Sequence, residues 1–176
     1  MRIVAGAWAG QPLVSPGGRV RPTSEEVRAA LMDLLGSLLT GASVADLFAG
    51  TGALGLEALS RGARRCDFVE NGPAALHALK ANVAAFPVRT RTRVFVRDAI
   101  PFAAALGPGA YDVVFADPPY GSRKLDRIVE QWLRVPFSAV LALEHSPEHE
   151  LPAGGRRRRI GDTAVTVLRR PPQGRG

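Results

Sequence analysis

The sequence predicts a single α/β domain built on a mostly parallel sheet, with helices on both faces. The chain has 176 residues, close to the usual size of one domain. Five short apolar runs alternate with amphipathic stretches, a pattern typical of buried parallel strands joined by helices. A glycine-rich turn follows the first apolar run, at the end of a strand where such sheets bind ligands.

The composition, with 46% hydrophobic and 22% charged residues, is that of a globular protein. A single cysteine excludes an intramolecular disulfide and predicts a reducing compartment, the cytoplasm. No apolar stretch reaches the roughly 18 uncharged residues that a membrane helix needs. We therefore exclude extracellular and membrane classes. We expect a monomer. We also expect no metal, because Pro147 interrupts the helix that His145 and His149 would need to form a zinc pair.

Residues 1–40 are predicted to form an N-terminal extension that consists of a β-hairpin and a helix. Apolar pairs at 3–4 and 13–14 flank a turn-rich segment, which is typical of a hairpin. Thr23 and Glu26 then fit a capping box, in which the first side chain caps the helix and the second reaches back to it. Apolar residues on one helical face follow, so a helix begins here.

Residues 41–170 are predicted to form the main domain, and residues 171–176 a flexible tail. The apolar runs predict five parallel strands, at 44–48, 66–70, 93–97, 111–116 and 139–144. The stretches between and after them predict helices at 53–61, 73–84, 100–106 and 125–133. Two further apolar or basic runs around a Gly-Asp turn predict a closing C-terminal hairpin, at 156–160 and 164–168.

The net charge of +7 is concentrated at the two ends of the chain. Residues 1–22 carry a charge of +3 and no acidic side chain, and residues 151–176 carry +6. Residues 23–150 between them carry −2. Basic segments on a nearly neutral body favour a polyanion partner such as nucleic acid. The alternative is a solubility feature of an arginine-rich, lysine-poor composition.

The first three predicted strands end in residues that suit a nucleoside cofactor. Gly50, Gly52 and Gly55 match G-x-G-x-x-G between a strand and a helix, where glycine lets a ligand approach the backbone. Glu70 ends the next strand, and a carboxylate there accepts both hydroxyls of an adenosine ribose. Asp98, after the third strand, fits either an acceptor for the adenine amine or a helix N-cap. An NAD site, a structural turn and a solvated strand-end acid remain as alternatives.

The fourth predicted strand ends in Asp117-Pro118-Pro119-Tyr120, which we predict to be the catalytic segment. Two prolines fix the backbone and supply no N–H group. Asp117 and the carbonyl of Pro118 then accept the two hydrogens of a planar exocyclic amine, and Tyr120 stacks on its base. The alternative is a proline turn that only ends the strand.

These motifs resemble class I S-adenosylmethionine-dependent methyltransferases that act on amino nitrogens, which have a Rossmann-like fold. Residues 2–6, the motif Arg21-Pro22-Thr23 with Val27-Arg28, and residues 46–63 are more narrowly similar to the bacterial 16S rRNA (guanine(966)-N(2))-methyltransferase family. The resemblance implies methylation of the exocyclic N2 amine of a guanine in 16S rRNA or in an assembling small ribosomal subunit. It also implies that S-adenosylmethionine is held by Asp46, Phe48, Ala49, Gly50, Thr51, Gly52, Glu70, Asn71, Asp98, Ala99 and Asp117.

The N-terminal extension is expected to face the RNA. The predicted RNA contacts are Arg2, Arg19, Arg21, Thr23 and Arg28. The arginine run at 156–159 is a competing clamp, or else a solvated edge strand that discourages strand pairing. Other functions stay open: a methyltransferase for DNA adenine or protein glutamine, an NAD-dependent oxidoreductase, and a non-catalytic RNA-binding module, against which the intact Asp-Pro-Pro-Tyr segment argues.

Overall fold

The computed structural model describes residues 1–16 and 23–170. It contains a seven-stranded sheet formed by β1 (Ser43–Leu47), β2 (Arg65–Glu70), β3 (Thr92–Val96), β4 (Tyr111–Ala116), β5 (Ser138–His145), β6 (Arg156–Ile160) and β7 (Thr163–Arg169). The strand order is β3-β2-β1-β4-β5-β7-β6. Strands β1 to β5 are parallel, and β7 is antiparallel to both β5 and β6. The predicted parallel sheet and closing hairpin are therefore confirmed.

The helices lie close to their predicted positions. They are α1 (Glu25–Leu35), α2 (Ala53–Ser60), α3 (Pro73–Ala84), α4 (Ala99–Ala104) and α5 (Lys124–Arg134), with a short 3-10 helix at Gly36–Leu39. Apart from the first helix, their ends differ from the predicted ends by two residues at most. Within residues 1–16 and 23–170, none of the helices has the length and apolar character to cross a membrane.

The two faces of the sheet carry two separate apolar cores, as the alternation of strand side chains requires. On β4, Val113 and Phe115 pack with α1, α2 and α3 on one face. Val114 and Ala116 pack with α4 and α5 on the other face. Helices on both faces explain why the strands read as continuous apolar runs.

The N-terminal segment is a short antiparallel hairpin, the N-terminal arm, as predicted, although it forms no strands at 3–4 and 13–14. One isolated bridge joins Arg2 to Pro12. The arm lies on α2, where the Glu57 carboxylate accepts the backbone N–H groups of Val4 and Ala5, both at 2.9 Å. Backbone hydrogen bonds cross the hairpin, as from the N–H of Ile3 to the carbonyl of Gln11 at 2.9 Å, but beyond Ile3 the Glu57 side chain takes the place of a partner strand.

The start of α1 also differs from the prediction. Ser24, not Thr23, is the N-cap, and its side chain accepts the N–H of Val27 at 3.2 Å. The capping box at Thr23 and Glu26 is therefore wrong by one residue. The hydroxyl of Thr23 instead donates a hydrogen bond to Asp117, which directly follows β4. The predicted RNA contacts Arg19 and Arg21, and the predicted tail at 171–176, lie outside the described residues.

Candidate active site

The loop after β1 has the backbone conformation that its glycines predict. Gly50 and Gly52 have positive φ angles of 57° and 80°, and Phe48 has a φ of 58°. A Cβ atom on Gly52 would lie 2.5 Å from a methyl group of Leu79, so a side chain would clash there. A Cβ on Gly50 would meet only the Phe48 carbonyl, at 3.9 Å. The space in front of Gly50 is therefore open to a ligand.

Asp46 supports this loop from behind. The side chain is buried, and its Oδ2 accepts the backbone N–H of Gly55 at 3.0 Å. Burial raises the pKa of Asp46 well above its ordinary value, and the charges of Asp117 and Glu70 act in the same direction. The observed partner of this predicted cofactor ligand is therefore the first turn of α2, directly after the loop.

Glu70 joins the glycine loop to the end of β2. Its Oε2 accepts the N–H of Gly50 at 2.8 Å, and its Oε1 accepts the N–H groups of Asn71 and Gly72 at 2.9 and 2.7 Å. Ionised carboxylates have about four acceptor positions, so further donors can still bind. A carboxylate held in this way beside an open glycine loop fits the ribose hydroxyls of an adenosine cofactor.

Asn82 of α3 is a loop support that the sequence interpretation missed. Its side-chain amide donates to the carbonyls of Thr51 and Val14, both at 2.9 Å, and its Oδ1 accepts the N–H of Val14 at 2.7 Å. The available signal was its position on the buried face of α3, three and four residues after Leu79 and Ala78. A buried polar residue needs hydrogen-bond partners, and here they lie in the cofactor loop and the N-terminal arm.

The residues after β3 and the backbone of Ala49 complete the predicted cofactor region. Asp98 is the N-cap of α4 and accepts the N–H of Ile100 at 2.9 Å, as one of its two predicted roles requires. Its contact with adenine stays a prediction. Ala99 is buried beside it. The N–H of Ala49 donates to the carbonyl of Val69 at 3.0 Å, which ties the glycine loop to β2.

The Asp-Pro-Pro-Tyr segment follows β4, at the same edge of the sheet as the glycine loop. Oδ2 of Asp117 accepts the hydroxyl of Thr23 at 2.8 Å, and a second side-chain hydrogen bond joins Asp117 to Glu144. Burial raises the pKa of Asp117 to about 6, and these two hydrogen bonds limit the rise. The segment is rich in acceptors, because neither Pro118 nor Pro119 carries an N–H.

Tyr120 is half exposed, and its position is defined by the C-terminal hairpin. The phenol hydroxyl lies 2.9 Å from Oγ1 of Thr163, the first residue of β7. Pro118 is buried and Pro119 is exposed. The ring of Tyr120 thus presents an aromatic surface beside Asp117, as stacking on a base requires.

Arg28 is buried, and the prediction that it contacts RNA is therefore wrong. Its guanidinium donates to the carbonyls of Thr23 and Arg2 and lies 3.8 Å from the Glu57 carboxylate. Burial lowers the pKa of Arg28, and the charge of Glu57 offsets part of that effect. Arg28 therefore fixes the N-terminal arm and Thr23 against the domain.

Glu144 is the second residue of the site that the sequence interpretation missed. It lies near the end of β5, where Ala116 of β4 pairs with Leu143 in the parallel ladder. Asp117 and Glu144 each follow this pair by one residue, so they lie side by side on neighbouring strands. The signal was an acidic residue at the end of an otherwise apolar strand. No group of three or more potential metal ligands is present in the part of the chain that the structure describes.

The family model described as Conserved hypothetical protein 95 matches residues 1–167. The chain is 35% identical over 160 residues to Ribosomal RNA small subunit methyltransferase D of Escherichia coli K12. The match covers 86% of this chain and 78% of that protein. The solved structure of the Escherichia coli protein yhhF has 32% identity and a TM-score of 0.82, with 97% of both chains covered. A hypothetical protein of Thermus thermophilus has 32% identity and a TM-score of 0.80, with 96% of this chain and 99% of that chain covered.

The fold, the glycine loop with the Glu70 carboxylate and the acceptor-rich Asp-Pro-Pro-Tyr segment agree with these relationships. The predicted alternatives based on NAD and on a non-catalytic module do not account for them. The chain belongs to the Conserved hypothetical protein 95 family of small-subunit rRNA methyltransferases, and it is a methyltransferase with S-adenosylmethionine as its cofactor.

Proposed function

We propose that this methyltransferase transfers a methyl group to the exocyclic N2 amine of a guanine in small-subunit rRNA. The observation that carries the proposal is the acceptor set at the end of β4. Asp117 offers a carboxylate and Pro118 a carbonyl, and the two prolines add no competing N–H donor. An exocyclic amine has two hydrogens to donate, so this set matches its hydrogen-bonding pattern.

The cofactor is held, in this proposal, by the groups around the glycine loop. Glu70 accepts the ribose hydroxyls, and Asp98 accepts the adenine amine with the oxygen that does not cap α4. When bound, S-adenosylmethionine supplies a methyl group attached to a positively charged sulfur. The protein therefore does not have to activate the donor, and its contribution is to position the amine.

Asp117 and Pro118 also favour the reacting form of the amine. The lone pair of guanine N2 is delocalised into the purine, which makes it a poor nucleophile. Two acceptors that hold its hydrogens favour a pyramidal nitrogen and stabilise the positive charge that develops there. Tyr120, held by Thr163, stacks on the base and keeps it in this orientation.

RNA contacts are proposed on two surfaces beside this site. Arg2 is exposed on the N-terminal arm and pairs with Glu25 at 3.2 Å. The second surface is β6, whose four arginines are all exposed. Strand β6 runs in the same direction as β5, so its end points to the edge that carries Asp117. Arg159 of β6 pairs with Ala164 of β7, and Ala164 pairs in turn with His145 at the end of β5. Two strand spacings, about 10 Å in all, therefore separate Arg159 from the end of β5.

The two faces of β6 differ in their neighbours. Arg156 donates to the carbonyl of Leu34, and Arg158 lies 3.8 Å from the carboxylate of Asp33, so both turn toward α1. Because side chains alternate along a strand, Arg157 and Arg159 turn to the opposite face. We propose that Arg157 and Arg159 contact RNA phosphates, whereas Arg156 and Arg158 hold the hairpin against α1.

The experiment that tests the proposed function is methyl transfer from labelled S-adenosylmethionine to small-subunit rRNA, both naked and protein-bound, followed by nucleoside analysis. The expected product is N2-methylguanosine, and the Asp117→Ala variant should not form it. A product methylated at adenine N6 or at a glutamine amide would assign the same site to a different amine and overturn the proposal.

A further inference from the structure

Glu144 and Asp117 form a pair of carboxyl groups at the centre of the site. By the alternation of side chains, Asp117 lies on the same face of the sheet as Val113 and Phe115 of β4. Glu144 lies on that face too, because it alternates in step with Val140 of β5. Both side chains therefore point toward α1. Glu144 is 8% exposed, and a side-chain hydrogen bond joins the two residues.

A hydrogen bond between two carboxyl groups requires a proton on one of them, because ionised carboxylates only accept. Two ionised carboxylates in contact would also repel each other strongly in a buried site. The pair therefore carries one proton and one negative charge. Thr23 donates to Oδ2 of Asp117 at 2.8 Å, so Asp117 receives donors from both neighbours and is the ionised member.

The surrounding charges act on Glu144 in opposite directions. The charge of Arg28 on α1 favours an ionised Glu144, but Arg28 interacts more strongly with Glu57 of α2 than with Glu144. Asp46 of β1 faces Asp117 from the other neighbouring strand. The negative charge of Asp117 opposes a second negative charge at Glu144, and Asp46 adds a further acidic group beside the pair.

We propose that Glu144 is a positioning residue that, in its protonated form, donates a hydrogen bond to Asp117 and keeps that carboxylate ionised and directed at the substrate amine. The inference rests on the proposed function for the identity of the amine. The structure supports it through the strand register, the burial of Glu144 beside a half-buried Asp117, and the two hydrogen bonds that Asp117 receives.

This arrangement also identifies the proton acceptor for the methyl transfer. As the nitrogen lone pair forms the new N–C bond, the electron pair of the broken C–S bond stays on sulfur, and one proton leaves nitrogen. Asp117 takes this proton, which makes the pair neutral, and releases it to water before the next turnover. A carboxylate with a pKa of about 6 is ionised at neutral pH and is still a stronger base than an ordinary aspartate.

The variants Glu144→Gln and Glu144→Ala test whether Glu144 acts as a hydrogen-bond donor to Asp117 or as an ionised group. Gln keeps an N–H donor for Asp117 and cannot ionise, so methyl transfer should stay within a few-fold of the parent. Ala removes the donor and should lower kcat by on the order of tenfold without changing S-adenosylmethionine affinity. Glu130→Gln, an exposed glutamate on α5, is the matched control and should change neither.

A second readout needs neither cofactor nor RNA. NMR titration of carboxyl-labelled protein should give a midpoint near 6 for Asp117 in the parent and in Glu144→Gln. Loss of a donor to the charged form raises a carboxyl pKa, so the midpoint should move upward in Glu144→Ala. In Glu144→Ala the acidic limb of the pH profile of kcat should also move to higher pH.

The outcomes that would overturn the inference are distinct from failure of the proposed function. If Glu144→Gln lost as much activity as Glu144→Ala, Glu144 would act as an ionised group rather than as a donor. If Glu144→Ala left the Asp117 midpoint and kcat unchanged, the pair would have no role. The titration of Asp117 still decides the inference if the methylated base proves not to be guanine.

Discussion

The hydroxyl of Thr23 donates a 2.8 Å hydrogen bond to Oδ2 of Asp117, although 94 positions separate these residues in the chain. The contact connects the segment before α1 to the carboxylate that we propose accepts the substrate amine. Arg28 holds the carbonyl of Thr23 at 2.9 Å, which fixes its backbone. The N-terminal part of the chain therefore builds the active site as well as flanking it.

Thr23→Val should raise the pKa of Asp117, because it removes a donor to the ionised form. The loss of one charge-assisted hydrogen bond corresponds to roughly one pKa unit. The acidic limb of the kcat profile should move upward by that amount, with unchanged affinity for S-adenosylmethionine. Ser24→Ala removes the neighbouring N-cap and serves as the control, since it should lower stability by about 1 kcal/mol without moving the profile.

Asp117→Ala should lower methyl transfer by on the order of a hundredfold, because it removes one preorganised acceptor of the amine. Cofactor affinity, measured by calorimetry, should change little. Turnover within a few-fold of the parent would show that Asp117 only ends the strand.

Asp117→Asn should be more stable than the parent at neutral pH. The pKa of Asp117 is raised from an ordinary 3.8 to about 6, so between these pH values the folded chain keeps a proton that the unfolded chain has lost. The free energy of unfolding of the parent therefore falls as pH rises through this window, by up to about 3 kcal/mol. Denaturation at pH 4 and pH 7.5 should show a stability difference between the two proteins only at the higher pH.

Glu70→Ala should weaken S-adenosylmethionine binding by about 1.5–3 kcal/mol, because charge-assisted hydrogen bonds to the ribose are lost. The structure adds a second effect, since Glu70 also holds the N–H groups of Gly50, Asn71 and Gly72. Glu70→Gln separates the two, because its single carbonyl oxygen keeps part of the loop contacts but loses the charge. Unchanged calorimetric affinity in both variants would remove Glu70 from the cofactor site.

The double variant Arg157→Ala/Arg159→Ala should weaken RNA binding and reduce the salt dependence of affinity by about two units of slope, one for each phosphate contact. The matched variant Arg156→Ala/Arg158→Ala should mainly lower stability, because these side chains contact α1. Arg21→Ala tests the N-terminal clamp predicted from the sequence. If only Arg21→Ala reduced the salt dependence of RNA affinity, the phosphate contacts would be assigned to the N-terminal segment rather than to β6.

These point variants are better probes of the N-terminal arm than a deletion of residues 1–20. Ile3 and Leu13 are buried in the core beside α1, so a deletion would remove part of that core. Gly6 shows how closely the arm is packed, since a Cβ there would lie 2.1 Å from the Ser60 carbonyl. A deleted chain that lost methylation would therefore report on folding as well as on RNA.

The sequence by itself determined the features that depend on neighbouring residues. Apolar runs bounded by turns, and one basic run beside a Gly-Asp turn, predicted the seven strands to within a residue at each end, because strand formation follows local sequence patterns. The glycine loop before α2 and the Asp117–Tyr120 segment were also readable, since glycine and proline restrict the backbone locally. The strand ends then indicated where a ligand binds.

Only the tertiary structure decided which polar side chains meet. Thr23 fits an N-cap in the sequence but bonds to Asp117, and Arg28 fits an exposed RNA ligand but is buried against Glu57. Glu144 gained its place beside Asp117 through the register of β4 and β5. A buried polar or charged group is stable only with partners, and distant segments of the chain supply those partners once the fold brings them together.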